Sequence, residues 1–304
     1  MEKRIMDSLV VAGTPRTAAG QTAARGGASI GRLTAMELRK LVRRPMTWAI
    51  FGLPAALGAV MFPMAYLVAR AQGTVAALGP RLFPPGYISS SFDVLIMLGT
   101  ICVAVLAAGV IGSEYGWGTI RVLIGTGAPR SRLLGSKLIA LSLAVAAWIV
   151  TSFAVISLSS ILVTAVSGHA VSLGQVDATW LGQLGLMFGR TWLVLEAWMT
   201  MAVAASVVGR SLAAGIAVPI VWEVIEAILS RLAPFAGSLG THVSDLLIQV
   251  NSLTFQAHNV FGTPPTQPGA VSQAHAVLVF AGYIVVLISV AAVVFIRRDY
   301  STGA

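Results

Sequence analysis

The sequence predicts an all-α, polytopic membrane protein of about six transmembrane helices, and three observations lead there. Hydrophobic residues make up 57% of the chain and charged residues only 10%, against about 25% charged in an ordinary soluble domain. That leaves too little polar surface to cover a soluble fold of this size. The apolar residues also run in blocks of about 20, the length that crosses roughly 30 Å of hydrocarbon at 1.5 Å per residue. Finally, the basic residues behind the net charge of +9 flank these blocks and do not cluster on a soluble domain. Orientation in a bilayer requires that placement, and no nucleic-acid partner is expected from it.

Residues 1–30, rich in Gly, Ala, Thr and Arg and without sustained periodicity, read as a flexible cytoplasmic tail. They lack the continuous apolar core of a cleaved signal peptide. Residues 31–304 read as a single transmembrane domain. At about 100° per residue, Ala35, Leu38, Leu41 and Val42 share one arc of a helix over Arg32–Arg44, with Arg32, Arg39 and Arg43 opposite. This amphipathic segment fits an interfacial helix whose arginines meet the anionic headgroups of membrane lipids. The predicted spans are 46–69, 92–111, 138–166, 191–208, 212–229 and 274–296. The first contains Pro54 and Pro63, which free backbone carbonyls inside a helix. The fourth is placed after Arg190 because that charge interrupts the apolar run. Residues 230–272 are mixed, with short apolar patches and a GTPPTQPG loop.

With the N-terminus inside, 16 of the 20 Lys and Arg fall on inner segments, leaving Arg70, Arg81, Arg190 and Arg231 outside. The expectation is a plasma membrane protein with both termini cytoplasmic. Cys102 lies inside an apolar block, so no disulfide framework and no metal set follows. His169, His242, His258 and His275 have no ligand spacing and read as surface residues beside external loops.

The inner segment between spans two and three, SEYGWGTIRVLIGTGAPRSRLLGSK, has the most distinctive chemistry. A carboxylate, Glu114, stands at the membrane edge beside Tyr115, followed by Gly118-Thr119 and a short apolar run around Arg121. A Gly-Thr-Gly-Ala-Pro break forces a turn, after which Pro129, Arg130, Ser131 and Arg132 lead to Lys137 at the foot of the next span. This segment resembles the integral membrane subunit of ABC-type exporters of the type-2 permease class. The match lies in Glu114, Gly118-Thr119, Pro129-Arg130-Ser131-Arg132 and Gly135-Ser136-Lys137, and the opening stretch MELRKLVRRP at 36–45 is similar to the basic interfacial helix of such permeases. The resemblance implies a transport subunit, not an enzyme, that pairs with a second copy or a related permease. It also implies a cytoplasmic ATP-binding cassette ATPase as partner, with residues 114–137 as a cytoplasmic coupling helix seated on it. The chain has no G-x-x-x-x-G-K-[ST], so it carries no cofactor of its own and ATP is expected on the partner.

Glu196 in the fourth span and Glu223 and Glu226 in the fifth stand where a carboxylate costs about 2.5–3.5 kcal/mol on insertion scales. Each is expected to face a partner or water, as a polar translocation path or as a network with Arg190 or Arg231. Two other functions are open to these residues. A secondary transporter would use the carboxylates for proton coupling but predicts internal repeats, and none is evident. An intramembrane enzyme would need a second catalytic cluster, and no nucleophile motif appears.

Overall fold

A computed structural model describes residues 29–120, 122, 129–169, 177–259 and 271–298, and every regular element among them is helical. The ten α-helices are α1 (Ile30–Arg43), α2 (Pro45–Ala71), α3 (Val75–Leu82), α4 (Tyr87–Gly116), α5 (Arg130–Val166), α6 (Ala178–Gly209), α7 (Leu212–Leu232), α8 (Gly237–Ser244), α9 (Ile248–His258) and α10 (Gln273–Arg297). Six of them, α2, α4, α5, α6, α10 and the segment opening with α7, are long and apolar enough to cross a membrane. The tail reading for residues 1–28 and the GTPPTQPG loop lie outside the described residues.

The six spans are not equivalent. In α4 and α6, 72% of the most apolar stretch is buried inside the chain, against 22% in α2 and 11% in α10. The pair α4–α6 is therefore the core, with α7 and α10 packed on α6, and α5 joining α2 to the centre. Small residues permit these approaches. Gly112 of α4 lies so close to the start of α7 that an added Cβ would sit 2.5 Å from Leu212 Cα. Gly58 of α2 would likewise drive a Cβ to 2.4 Å from Ile156 of α5.

The two prolines of α2 are resolved by its neighbour. Pro54 and Pro63 have no N–H, so the carbonyls four residues earlier, Ile50 and Ala59, lose their helical donors. In hydrocarbon each such carbonyl needs another donor. Trp148 Nε1 of α5 donates to Ile50 O at 3.0 Å, and Ser159 Oγ, also of α5, donates to Ala59 O at 3.3 Å. Side chains two or three turns apart on α5 thus fix the register of α2.

Several predicted span limits are corrected. The helix of the fourth span begins at Ala178, not after Arg190, because Asp177 caps it by accepting from Trp180 N at 2.7 Å and Arg190 finds polar partners without breaking it. The third starts at Arg130, so the basic residues 130–137 are its first two turns. The second extends from Tyr87 to Gly116 and carries Glu114 and Tyr115 in its last turn. Residues 230–272, read as mixed loop, contain α8 and α9, and α9 packs against α6, α7 and α10.

Candidate functional site

The end of the bundle that holds α1 also holds the last turn of α4, the first turns of α5 and the α6–α7 turn. Arg44, which follows α1, donates to Gly109 O of α4 at 2.8 Å and stands 6.0 Å from the centre of the Trp117 ring. Arg130 donates to Ile296 O and Arg298 O, each at 2.8 Å, and Arg298 donates to Val207 O and Val208 O of α6. The guanidiniums of Arg130 and Arg298 therefore satisfy carbonyls at helix C-termini, while Arg44 bonds a carbonyl inside α4.

At the centre of this end lies a buried ion cluster. Lys137 Nζ is 2.6 Å from Glu114 Oε1 and 3.1 Å from Glu37 Oε1. Lys40 Nζ approaches the same two oxygens at 3.7 Å and 2.8 Å. The Lys137 residue is 2% exposed and Glu114 3%, so the charges are sustained by one another in low dielectric. Burial acts to raise the Glu37 carboxyl, but the ammoniums of Lys137 and Lys40 outweigh it and hold the group below the usual carboxylate range. Two acids and two bases from α1, α4 and α5 compensate each other. The cluster joins three helices that are far apart in sequence.

The structure thus unites two residues the sequence singled out, Glu114 and Lys137, and adds Glu37, which sequence reasoning missed. The signal was present: Glu37 is the sole acid of α1 and stands four residues before Leu41, on the face that α1 buries. The predicted arc is corrected accordingly. Thr34, Glu37 and Leu41 face the protein, whereas Val42 is 58% exposed. Tyr115 packs against the core. Gly118 has φ +68, a left-handed conformation that ends the α4 segment and suits glycine. Thr119 Oγ1 donates to Glu114 O at 3.4 Å. Pro129 caps α5, while Ser131 and Arg132 are exposed. Arg121, and with it residues 123–128 of the predicted coupling segment, lies outside the described residues.

The intramembrane charges are arranged differently from the expected network. Among the described residues Arg190 does not pair with a carboxylate. Its guanidinium donates to His258 O at 2.8 Å, Asn259 Oδ1 at 3.2 Å and Gln273 Oε1 at 2.6 Å. No ion pair with Arg231 is formed by Glu196, Glu223 or Glu226 among the described residues. Glu226, fully buried, accepts from Trp222 Nε1 at 2.7 Å and from the first two amides of α9, Ile248 N at 2.9 Å and Gln249 N at 2.7 Å. A carboxylate at a helix N-terminus meets both the open N–H groups and the positive end of the dipole. Glu196 is 6% exposed, and its Oε1 has no hydrogen-bond partner among the described residues. Glu223 faces a cavity between α4, α6, α7 and α9.

The histidines serve local structure. His258 Nδ1 lies 2.8 Å from Thr254 O, His275 Nε2 2.8 Å from Asp245 O, and the His169 ring stacks on Phe83 with centres 4.5 Å apart.

The family model described as ABC-2 family transporter protein matches residues 33–229, about two thirds of the chain. The chain belongs to the ABC-2 transporter family. It is the permease, the transmembrane transport component of an ABC transporter, and permeases of this family generally pair with a cytoplasmic ATPase. The matched region of this ABC-2 permease contains the whole ion cluster and the three intramembrane glutamates, while α8, α9 and α10 lie beyond it. A comparison with curated proteins found no match.

Proposed function

We propose that this ABC-2 permease is the membrane half of an ATP-driven exporter, working with a second copy or a related permease and driven by a separate cassette ATPase. The ATPase docks on the segment from Glu114 to Lys137, at the end of the bundle that carries α1. The observation that carries this reading is the cluster of buried Glu37, Glu114 and Lys137 with the partly exposed Lys40 at its edge. It ties the interfacial helix to both spans that flank the docking segment. A displacement of that segment then moves α1, α4 and α5 together, because separating them exposes uncompensated charge in low dielectric. Two features of the sequence support the same assignment. The chain lacks a phosphate-binding loop, so ATP binds elsewhere. Its Lys and Arg concentrate at this end, which the positive-inside rule assigns to the cytoplasm of the plasma membrane.

Paired cysteines, one at Ser131 and one in the docking cleft of a co-expressed cassette ATPase, are expected to crosslink and to arrest ATP hydrolysis by the reconstituted complex. The double change Glu114→Ala with Arg121→Ala is expected to uncouple hydrolysis from the permease. If that variant still assembles and couples normally, the docking assignment fails.

A further inference from the structure

The turn between α6 and α7 puts a large side chain where the backbone favours glycine. Arg210 has φ 49° and ψ 33°, the left-handed conformation, and among the described residues it is the only one other than glycine with positive φ. An L side chain in that conformation crowds the following carbonyl, whereas glycine, with no Cβ, adopts it freely. The turn needs it because the chain reverses at once. Gly209 ends α6, and Ser211 already caps α7 by accepting from Ala214 N at 3.1 Å. The fold calls for glycine at 210, and an arginine stands there.

The structural tasks of an arginine at a helix end are not performed by this one. The last carbonyls of α6, Val207 O and Val208 O, are taken by Arg298 at 3.1 and 3.0 Å. The Arg210 guanidinium has no hydrogen bond or ion pair among the described residues, and the residue is exposed. It is one of sixteen basic residues on the inner segments, so orientation does not depend on it. Its place, however, is specific. A Cβ added to Gly112 would sit 2.9 Å from the backbone carbon of Ser211, the residue after Arg210. The turn therefore abuts the last turn of α4, from which the docking segment leaves. No carboxylate is exposed at this end among the described residues, because Glu37 and Glu114 are buried, while Arg132 and Arg297 are exposed beside Arg210 on neighbouring helix ends.

We propose that Arg210 is a second contact for the cassette ATPase, its guanidinium pairing with a carboxylate on the edge of the cleft that takes the segment from Glu114 to Lys137. A guanidinium is always charged and grips a carboxylate through two parallel N–H donors. The uniform positive sign of this end selects an acidic partner surface. Backbone strain at 210 is then the local cost of holding that fork beside the docking segment. The inference deepens the permease reading and rests on it for the identity of the partner.

The test compares the full chain with its Arg210→Gly variant, both in phosphatidylcholine nanodiscs. Melting temperature is measured for each, together with equilibrium binding of the cassette ATPase that crosslinks to Ser131→Cys. Glycine removes the guanidinium and the strain together, so the variant should melt at or slightly above wild type. It should nonetheless bind the ATPase roughly fivefold more weakly or worse. A binding loss in a chain that folds at least as well cannot be ascribed to misfolding. Added salt should weaken wild-type binding more than that of Arg210→Gly. Wild-type affinity in Arg210→Gly, an equal salt dependence, or a melting temperature clearly below wild type overturns the proposal. A binding defect that appears only when phosphatidylglycerol is added assigns the guanidinium to lipid headgroups and overturns it as well. If no ATPase crosslinks at Ser131, the docking assignment fails and takes this inference with it. Normal crosslinking with unimpaired binding by Arg210→Gly sinks this inference alone.

Discussion

A single ammonium, Lys137, holds two buried carboxylates in place, and its removal leaves them with only Lys40 between them. Lys137→Met is expected to destabilise the folded chain by about 3–5 kcal/mol, the cost of breaking one partner out of a buried pair. Adding Glu114→Gln restores the charge balance and should recover most of the melting temperature in detergent. The cluster also sets a pH dependence. The Glu37 carboxyl is held below its unfolded value of about 4.3. Its contribution to stability is therefore complete above that pH and is lost as pH falls through the lower, folded value. In Lys137→Met the folded value rises toward or past the unfolded one, so the part of the acid loss in melting temperature that Glu37 causes should shrink or reverse. An unchanged acid limb would show that Lys137 does not govern Glu37.

Helices in this chain are set in place by polar atoms that other helices leave open. The pairing of α2 with α5 is the clearest case, because the carbonyls freed by Pro54 and Pro63 face the donors Trp148 and Ser159. Trp148→Phe should cost about 1–3 kcal/mol by leaving Ile50 O unsatisfied. In a Pro54→Ala background the restored N–H re-forms the helical bond, and the same tryptophan change should then cost clearly less. Additive losses in that double-mutant cycle, measured by thermal or denaturant unfolding, would exclude the link. Glu226 performs a related task for α9, supplying the acceptor that its first two amides lack. A carboxylate expected to belong to an arginine network belongs instead to a helix terminus.

Across the whole bundle, burial divides the spans into a central pair, α4 and α6, and outer helices whose apolar faces are exposed on the isolated chain. The polar cluster, the arginines that bond helix C-termini and most of the described basic residues gather at one end, and α3, α8 and the start of α10 at the other. In the orientation proposed above, the first end is the cytoplasmic one. In a Cys102→Ala background, Ser131→Cys should react with a membrane-impermeant maleimide only in inside-out vesicles, and Ala76→Cys only in right-side-out ones. Labelling of Ser131→Cys from outside would invert the topology and sink the ATPase-docking assignment with it.

The membrane class, the six spans, the interfacial helix and the residues at the foot of spans two and three were legible in the sequence, because each depends on local composition, periodicity or adjacent residues. Span length needs only a run of apolar side chains, and Glu114, Pro129 and Lys137 belong to one continuous segment. What the sequence left undecided was which distant groups meet. Arg190 was read as a helix limit because a charge in an apolar run is costly unless paired, and its partners, His258, Asn259 and Gln273, are 68 to 83 residues away. Glu37 looked like one more charge on a basic helix until packing placed it on Lys137 of α5. The cavity beside Glu223 required α9, a helix that the mixed composition of residues 230–272 concealed. Composition and period fix which long apolar helices form. Only tertiary packing decides where each buried polar atom finds its partner, since that choice depends on close approach between segments far apart in the chain.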